Sequence, residues 1–108
     1  MTTLREWFDH FTEATGEVPQ HIVFGFVWDD DADRWPAIVV DEVLAFADVP
    51  AKALDARFDD SYGGTEAPNF AAWSENFVLF CDQYDGAESI CWVPRHPMAH
   101  TPLRPGGG

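Results

Sequence analysis

Basic residues are scarce in this sequence: six Lys and Arg stand against 19 Asp and Glu in 108 residues, and the formal charge is −13. Proteins that bind nucleic acid use Lys and Arg to neutralise phosphates, so this balance argues against direct nucleic-acid binding. It argues equally against binding to an anionic membrane surface. What remains is a compact acidic domain that either binds a basic protein surface or has a solvated surface without a partner.

Cysteine and long apolar runs are also scarce. Cys81 and Cys91 are the two cysteines, too few for a disulfide framework. The longest apolar stretches, residues 22–28 and 37–40, are far shorter than the roughly 20 residues that span a bilayer. The first residues show no basic segment followed by an apolar run, as a secretory signal would require. We therefore expect a cytoplasmic protein with free thiols, located in the host cytoplasm if a phage encodes it.

Motifs that would identify an enzyme are absent from the sequence: it contains no P-loop, G-x-G-x-x-G, G-x-S-x-G or H-E-x-x-H pattern. Residues 29–33 have the D-x-D-x-D spacing with which calcium loops begin. However, Arg34 stands where the loop requires Gly, and Val40 stands where a bidentate Glu should complete the ligand shell. This segment is predicted to be a solvated acidic turn.

Four residues form a C-x₉-C-x₄-H-x₃-H pattern: Cys81, Cys91, His96 and His100. Nine residues between the cysteines favour a pair of strands over the tight thiolate turn of a zinc site. A reactive thiolate also needs an electropositive site, and this chain is short of positive charge. We expect surface histidines, no catalytic residue, no metal and no cofactor. A Cys/His metal or thiol enzyme is the less favoured alternative.

What the sequence does contain is enough apolar material for a core, at 46% hydrophobic and 15% aromatic residues. Size scaling for a chain of this mass gives about 6,000 Å² of folded surface against about 17,500 Å² unfolded. A packed core therefore forms without metal or disulfides. We predict one compact acidic domain over residues 1–97, followed by a Pro/Gly-rich tail over residues 98–108.

The first segment is predicted to be an amphipathic helix over Leu4–Thr15. Thr3 and Glu6 have the spacing of a capping box, and Gly16 supplies a left-handed stop. Apolar residues recur at helical spacing and form one face, which is expected to pack in the core. They are Leu4, Trp7, Phe8, Phe11 and Ala14.

The rest of the chain is predicted to be mainly strands. Residues 21–28 are rich in β-branched and aromatic residues and favour a central strand. A second strand is expected over residues 37–40, with 41–47 left open between strand and helix. Residues 48–54 favour a short helical turn with Asp48 as N-cap, and residues 59–64 a loop. A meander of three strands follows, over residues 69–73, 77–82 and 89–93.

The predicted fold class is therefore α+β, with the N-terminal helix packed on an antiparallel sheet of four to five strands that ends in a C-terminal meander and hairpin. The expected core residues are Trp7, Phe8, Phe11, Phe24, Phe26, Phe80 and Trp92.

The register of the last hairpin decides how the two thiols face. A two-residue loop at Asp85-Gly86 sets Phe80 opposite Cys91, which places the cysteines on opposite sheet faces. A three-residue loop sets Leu79 opposite Cys91 and leaves the thiols diagonal on one face. Because neither register puts the cysteines opposite one another, no disulfide is predicted.

Charge is unevenly distributed along the chain. Residues 1–88 hold all 19 acids and four bases, net −15, whereas residues 89–108 hold two Arg and no acid, net +2. In composition the chain is similar to DNA-mimic inhibitors, which include phage anti-restriction and anti-CRISPR proteins and some toxin-immunity proteins. The resemblance implies a non-catalytic inhibitor that occupies the basic, nucleic-acid-binding surface of a nuclease or other DNA- or RNA-binding effector.

The contact surface is expected to combine carboxylates with exposed aromatic side chains, because aromatic residues dominate binding hot spots. Trp35 and Tyr62 are the aromatic candidates. The predicted partner-binding residues are Asp29, Asp30, Asp31, Asp33, Trp35, Asp59, Asp60, Tyr62, Asp82, Asp85 and Glu88.

An alternative explains the acidity without a basic partner. Asp outnumbers Glu by 12 to 7, and Arg outnumbers Lys by 5 to 1. A high-GC genome produces these ratios, and a salt-rich cytoplasm favours acidic surfaces. Under this hypothesis the chain is a small cytoplasmic interaction module whose charge is background. The sequence leaves the oligomeric state open.

Overall fold

The computed structural model describes residues 2–25, 35, 38–59, 67–84 and 87–101, which form an antiparallel five-stranded sheet with helices on one face. The predicted α+β class is confirmed. In chain order the elements are α1 (Leu4–Thr15), β1 (His21–Phe24), β2 (Val43–Ala45), a 3₁₀ turn (Phe46–Asp48), α2 (Ala51–Leu54), β3 (Phe70–Trp73), β4 (Phe77–Tyr84) and β5 (Ala87–Pro94).

Helix α1 has the predicted bounds and both predicted caps. The Thr3 hydroxyl accepts the Glu6 backbone N–H at 3.2 Å, which satisfies a donor that the first helical turn leaves free. Gly16 ends the helix with φ of 77°, and its N–H donates to the Thr12 carbonyl. A residue without Cβ adopts this left-handed conformation at no steric cost, so the helix stops there.

The sheet order is β2-β1-β3-β4-β5, so β1 is an interior strand, as predicted. The strand expected over residues 37–40 is wrong for the described part of that range. Val40 makes an isolated parallel bridge to Phe24, and Asp41 then turns the chain with a left-handed φ of 61°. Pairing with β1 begins only after this turn, at Val43.

The helical turn expected over residues 48–54 is confirmed as α2, but its N-cap differs. Pro50 is the N-cap and makes no side-chain capping bond, while Asp48 belongs to the preceding 3₁₀ turn. Proline is suited to this place because its fixed φ fits the start of a helix and its missing N–H costs no hydrogen bond.

The helices, the 3₁₀ turn and Trp35 cover one side of the sheet, which we call the core face. Aromatic rings of α1 meet those of the sheet edge-on: Phe11 lies 6.0 Å from Phe77 and 5.3 Å from Trp92. Phe8 is similarly 5.3 Å from Phe70. The buried hydrophobic residues are Leu4, Trp7, Phe8, Phe11, Ile22, Phe24, Trp35, Val49, Ala53, Leu54, Phe58, Ala67, Phe70, Ala72, Phe77, Leu79, Ile90 and Cys91.

The C-terminal hairpin adopts the two-residue register, with Tyr84 paired to Ala87 and Phe80 to Cys91. This register corrects the predicted core. Phe80 points away from α1 and is half-buried on the opposite face, whereas Trp92 packs on the core as predicted. Phe26 lies outside the described residues.

The end of α1 is tied to the β3–β4 turn through Glu17. The Ser74 hydroxyl donates to its carboxylate at 2.6 Å, and the backbone and side-chain N–H groups of Asn76 donate at 3.0 and 2.8 Å. Ser74 is fully buried. Arg95 supports the same turn by donating to the Ser74 carbonyl at 2.8 Å.

Candidate functional site

The second side of the sheet, which we call the open face, has no described helix or strand packed on it. The strand registers arrange its side chains in rows that run across the sheet. The first row contains Ala45, His21, Trp73, Val78 and Val93. The second row contains Val43, Val23, Ala71, Phe80 and Cys91. The third row begins at Gly25 and continues with three polar residues, Asn69, Asp82 and Ser89.

Except for the buried Cys91, apolar side chains of the open face remain accessible to solvent. Val43 is 63% exposed, while Trp73 and Phe80 are half-buried. A shallow hollow of about 500 Å³ lies at the first row and is lined by Gln20, His21, Val43, Trp73 and Arg95. Exposed apolar patches with polar surroundings mark interaction surfaces in soluble proteins.

Carboxylates lie beside these apolar rows at one end of the strands. Asp82 is paired with Ser89, which lies two residues from Cys91 on the same sheet face. Burial raises the pKa of the Cys91 thiol, and the nearby Asp82 carboxylate raises it further. Asp41 adjoins the same end: its N–H donates to the Phe24 carbonyl at 2.8 Å. A second hollow, of about 200 Å³, is lined by Val23, Phe24, Gly25, Asp41, Asn69, Phe70 and Ala71.

A second group of carboxylates runs along the outer side of α1. Glu6, Asp9 and Glu13 follow one another at i, i+3 and i+7, and all three are exposed. The other side of α1, opposite these carboxylates, carries the aromatic residues that pack in the core. Arg5 is engaged elsewhere, because it donates through two nitrogens to Asp55, and these bonds lower the pKa of the Asp55 carboxyl.

Seven of the predicted partner-binding residues lie outside the described residues: Asp29, Asp30, Asp31, Asp33, Asp60, Tyr62 and Asp85. Of the four that are described, Asp59 and Asp82 are half-buried. The structure therefore does not bring the predicted residues together into one described patch.

Trp35 and Glu88 require correction as exposed contact residues. Trp35 is 3% exposed because its ring packs 5.6 Å from Phe58 in the core. Glu88 is 5% exposed because it points to the core side of β5, where its carboxylate accepts the Ala67 N–H at 3.1 Å. The Cys81 thiol also donates to it, at 3.6 Å.

Both cysteines are free, and they lie on opposite sheet faces as the two-residue register predicts. Burial raises the pKa of Cys81, and the neighbouring carboxylate of Glu88 raises it further. Burial also raises the pKa of Cys91, and there the neighbouring carboxylate is that of Asp82. Each thiol is therefore held in its neutral form. Neutral thiols are poor nucleophiles.

The histidines of the C-terminal segment differ in environment. His96 is exposed and its Nε2 lies 3.0 Å from the Asn76 side-chain oxygen. His100 is half-buried, contrary to the expected surface position, because its ring packs 5.1 Å from Phe77. It lines a cavity of about 280 Å³ with His10, Ala14, Trp92 and Thr101.

Within the described ranges, no group of three His, Cys, Asp or Glu side chains is placed to hold a metal ion. Nor does any helix of the described chain have the length and apolar character needed to cross a membrane.

Trp73 is the aromatic residue of the open face that sequence reasoning missed. Phe70 and Trp73 are three positions apart in a strand, so alternation puts them on opposite faces. Which of these faces receives α1 depends on contacts between segments distant in sequence, so periodicity alone did not distinguish them.

Comparison with known proteins gives no relative from which to assign the site. The chain matches no family model, and no curated protein or solved structure is significantly similar to it.

Proposed function

We propose that this protein is a non-catalytic inhibitor that binds a basic, nucleic-acid-binding surface of a partner protein, in the manner of a DNA mimic. The observation that carries the proposal is the excess of exposed acid on a packed scaffold. Four exposed cations are described: Arg5, Lys52, Arg57 and Arg95. Eight exposed carboxylates are described: Glu6, Asp9, Glu13, Asp41, Glu42, Asp48, Asp55 and Glu75.

The arrangement of the three exposed carboxylates on α1 supports electrostatic recognition of a basic partner. Glu6, Asp9 and Glu13 are separated along the helix axis by about 4.5 and about 6 Å, at a rise of about 1.5 Å per residue. Phosphates of one DNA strand are spaced on the same scale, at about 3.4 Å along the duplex axis. Because the opposite side of α1 is anchored by the aromatic core, the backbone that carries these carboxylates is fixed before binding.

A displacement experiment tests the proposal. Lysate of the producing organism is passed over immobilised duplex DNA, which is then washed with this protein, and the released proteins are identified by mass spectrometry. We expect a small set of basic nucleic-acid-binding proteins to be released at low salt, with release falling steeply as salt rises. Poly-glutamate serves as the control of equal charge without a fold.

Charge reversal provides the matched variants. Changing Glu6, Asp9 and Glu13 to Lys, or Asp29, Asp31 and Asp33 to Lys, should reduce release by about tenfold or more. If release survives high salt and both triple reversals, or if poly-glutamate releases the same proteins, the proposed function is wrong. Salt-insensitive binding would favour the interaction module whose acidity is background.

A further inference from the structure

The open face has two features that bear on what can bind to it: apolar rows and carboxylates at one end of the strands. Apart from the exposed His21, its first two rows are apolar and include the half-buried rings of Trp73 and Phe80. Its acidic residues, Asp82 and the adjoining Asp41, lie at one end of the strands rather than among the apolar side chains. Acid and apolar surface are thus separated along the strand direction.

A second copy of this chain is a poor occupant of such a surface. Each copy carries a formal charge of −13, so the carboxylates of two copies repel one another as the copies approach. Repulsion of this kind disfavours association of two like-charged surfaces. A basic occupant instead gains from the same carboxylates.

The dimensions of the face suit a helix. Five strands about 4.8 Å apart give a width of about 19 Å, which a helix of about 13 residues spans at about 1.5 Å per residue. Rows on one face are two residues apart, about 6.8 Å, so a helix about 10 Å across covers both apolar rows. Lys or Arg on one side of that helix would then lie over Asp41 and Asp82.

We infer that the open face is a docking surface for a basic amphipathic helix of the partner protein. This inference rests on the proposed function and adds the surface and the class of partner element to it. Apolar side chains of the helix pack on Trp73 and Phe80, and one enters the hollow beside His21 and Val43. The basic side of the helix follows the end of the sheet that holds Asp41 and Asp82.

The test uses the whole protein, labelled with ¹⁵N, and two synthetic peptides of about 14 residues. One is a Leu/Lys amphipathic helix, and the other replaces each Lys by Glu. We expect the Leu/Lys peptide to bind and to shift the amides of β1, β3 and β4, while the Leu/Glu peptide does not bind. Far-UV circular dichroism confirms that each variant below is folded.

The chain offers a closely matched pair of variants. Val43 on the open face is 63% exposed, and Val18 in the α1–β1 connection is 62% exposed. Val43→Lys should weaken peptide binding by about tenfold, whereas Val18→Lys, with the same change in charge, should leave it within about twofold. Asp41→Asn should weaken binding more than Asp48→Asn, because Asp48 lies in the 3₁₀ turn away from the hollow.

Three outcomes would overturn the inference in different ways. Equal weakening by Val43→Lys and Val18→Lys, with amide shifts confined to α1, rejects the open face but leaves the proposed function standing on the helix carboxylates. Equal binding of the two peptides rejects a basic occupant of the open face, while the proposed function is then decided by the displacement experiment. A dimer in sedimentation equilibrium that Val43→Lys dissociates identifies a second copy as the occupant.

Discussion

Glu17 shows how one carboxylate is coupled to the fold. Its partial burial acts to raise its pKa, but the donors of Ser74 and Asn76 outweigh that effect, so its pKa is lowered. A carboxyl group whose pKa is lowered by folding stabilises the native state above its unfolded pKa, and this stabilisation is lost as pH falls through the lowered value.

Replacing Glu17 by Gln should therefore lower the free energy of unfolding at neutral pH by about 1–2 kcal/mol, through loss of charge-assisted hydrogen bonds. The difference from the natural protein should shrink as pH falls below about 4.3, the ordinary glutamate pKa. Urea unfolding followed by tryptophan fluorescence between pH 3 and pH 7 would measure both effects. Glu75→Gln is the control, since Glu75 is exposed in the same turn. A pH-independent difference would contradict this account.

At the scale of elements, α1 is the segment whose bounds follow most directly from local chemistry. Its N-cap, its apolar spacing and its left-handed stop are all encoded within residues 3–16. The hairpin of β4 and β5 is similarly local, because the Asp-Gly pair predicts a hairpin with a loop of two or three residues, and the structure has the two-residue register with Tyr84 paired to Ala87. The position of strand β2 is not determined by nearby residues alone, because it depends on pairing with β1 as well as on the turn at Asp41.

The stop of α1 gives a prediction for an element boundary. A Cβ built at Gly16 meets nothing within 4 Å, so the cost of Gly16→Ala is conformational rather than steric crowding by neighbours. We expect a loss of about 1–2 kcal/mol in urea unfolding, because an L-residue is disfavoured at positive φ. Gly16→Asn should lose less, since Asn tolerates this conformation. Equal losses for both variants would show that another interaction dominates.

At the scale of the whole molecule, net charge acts against the compact state. The formal charge of −13 produces self-repulsion that dissolved salt screens, with a Debye length of about 10 Å at 0.1 M. One ion pair, Arg5–Asp55, joins described residues, and its side chains are about half exposed, so its loss in salt weighs little.

Raising NaCl from about 0.05 to about 0.5 M should therefore raise the melting temperature by several degrees, about 4–8 °C for each kcal/mol gained. A variant with Asp9 and Glu13 changed to Asn and Gln should melt higher at low salt and respond less to NaCl. Differential scanning calorimetry measures both. A melting temperature that falls with salt would mean that attractive charge pairs outweigh the repulsion.

Local order in the chain was determined by the sequence by itself. The spacing of aromatic residues defined α1, the turn residues placed the three strands of the meander, and the hairpin loop restricted the registers to two, neither of which pairs the cysteines. The excess of acid was equally plain. These features depend on residues close together in the chain, so short-range rules were sufficient.

The tertiary structure decided which side of each strand is covered. Alternation shows that a strand has two faces, but α1 reaches β5 across more than 70 residues of sequence before one of those faces becomes core. Packing of α1 on β4 covers Phe77 and leaves Phe80 on the open face. Trp35, expected at the surface, packs on Phe58. The physical reason is that burial is a property of long-range packing, which periodicity within a segment does not contain.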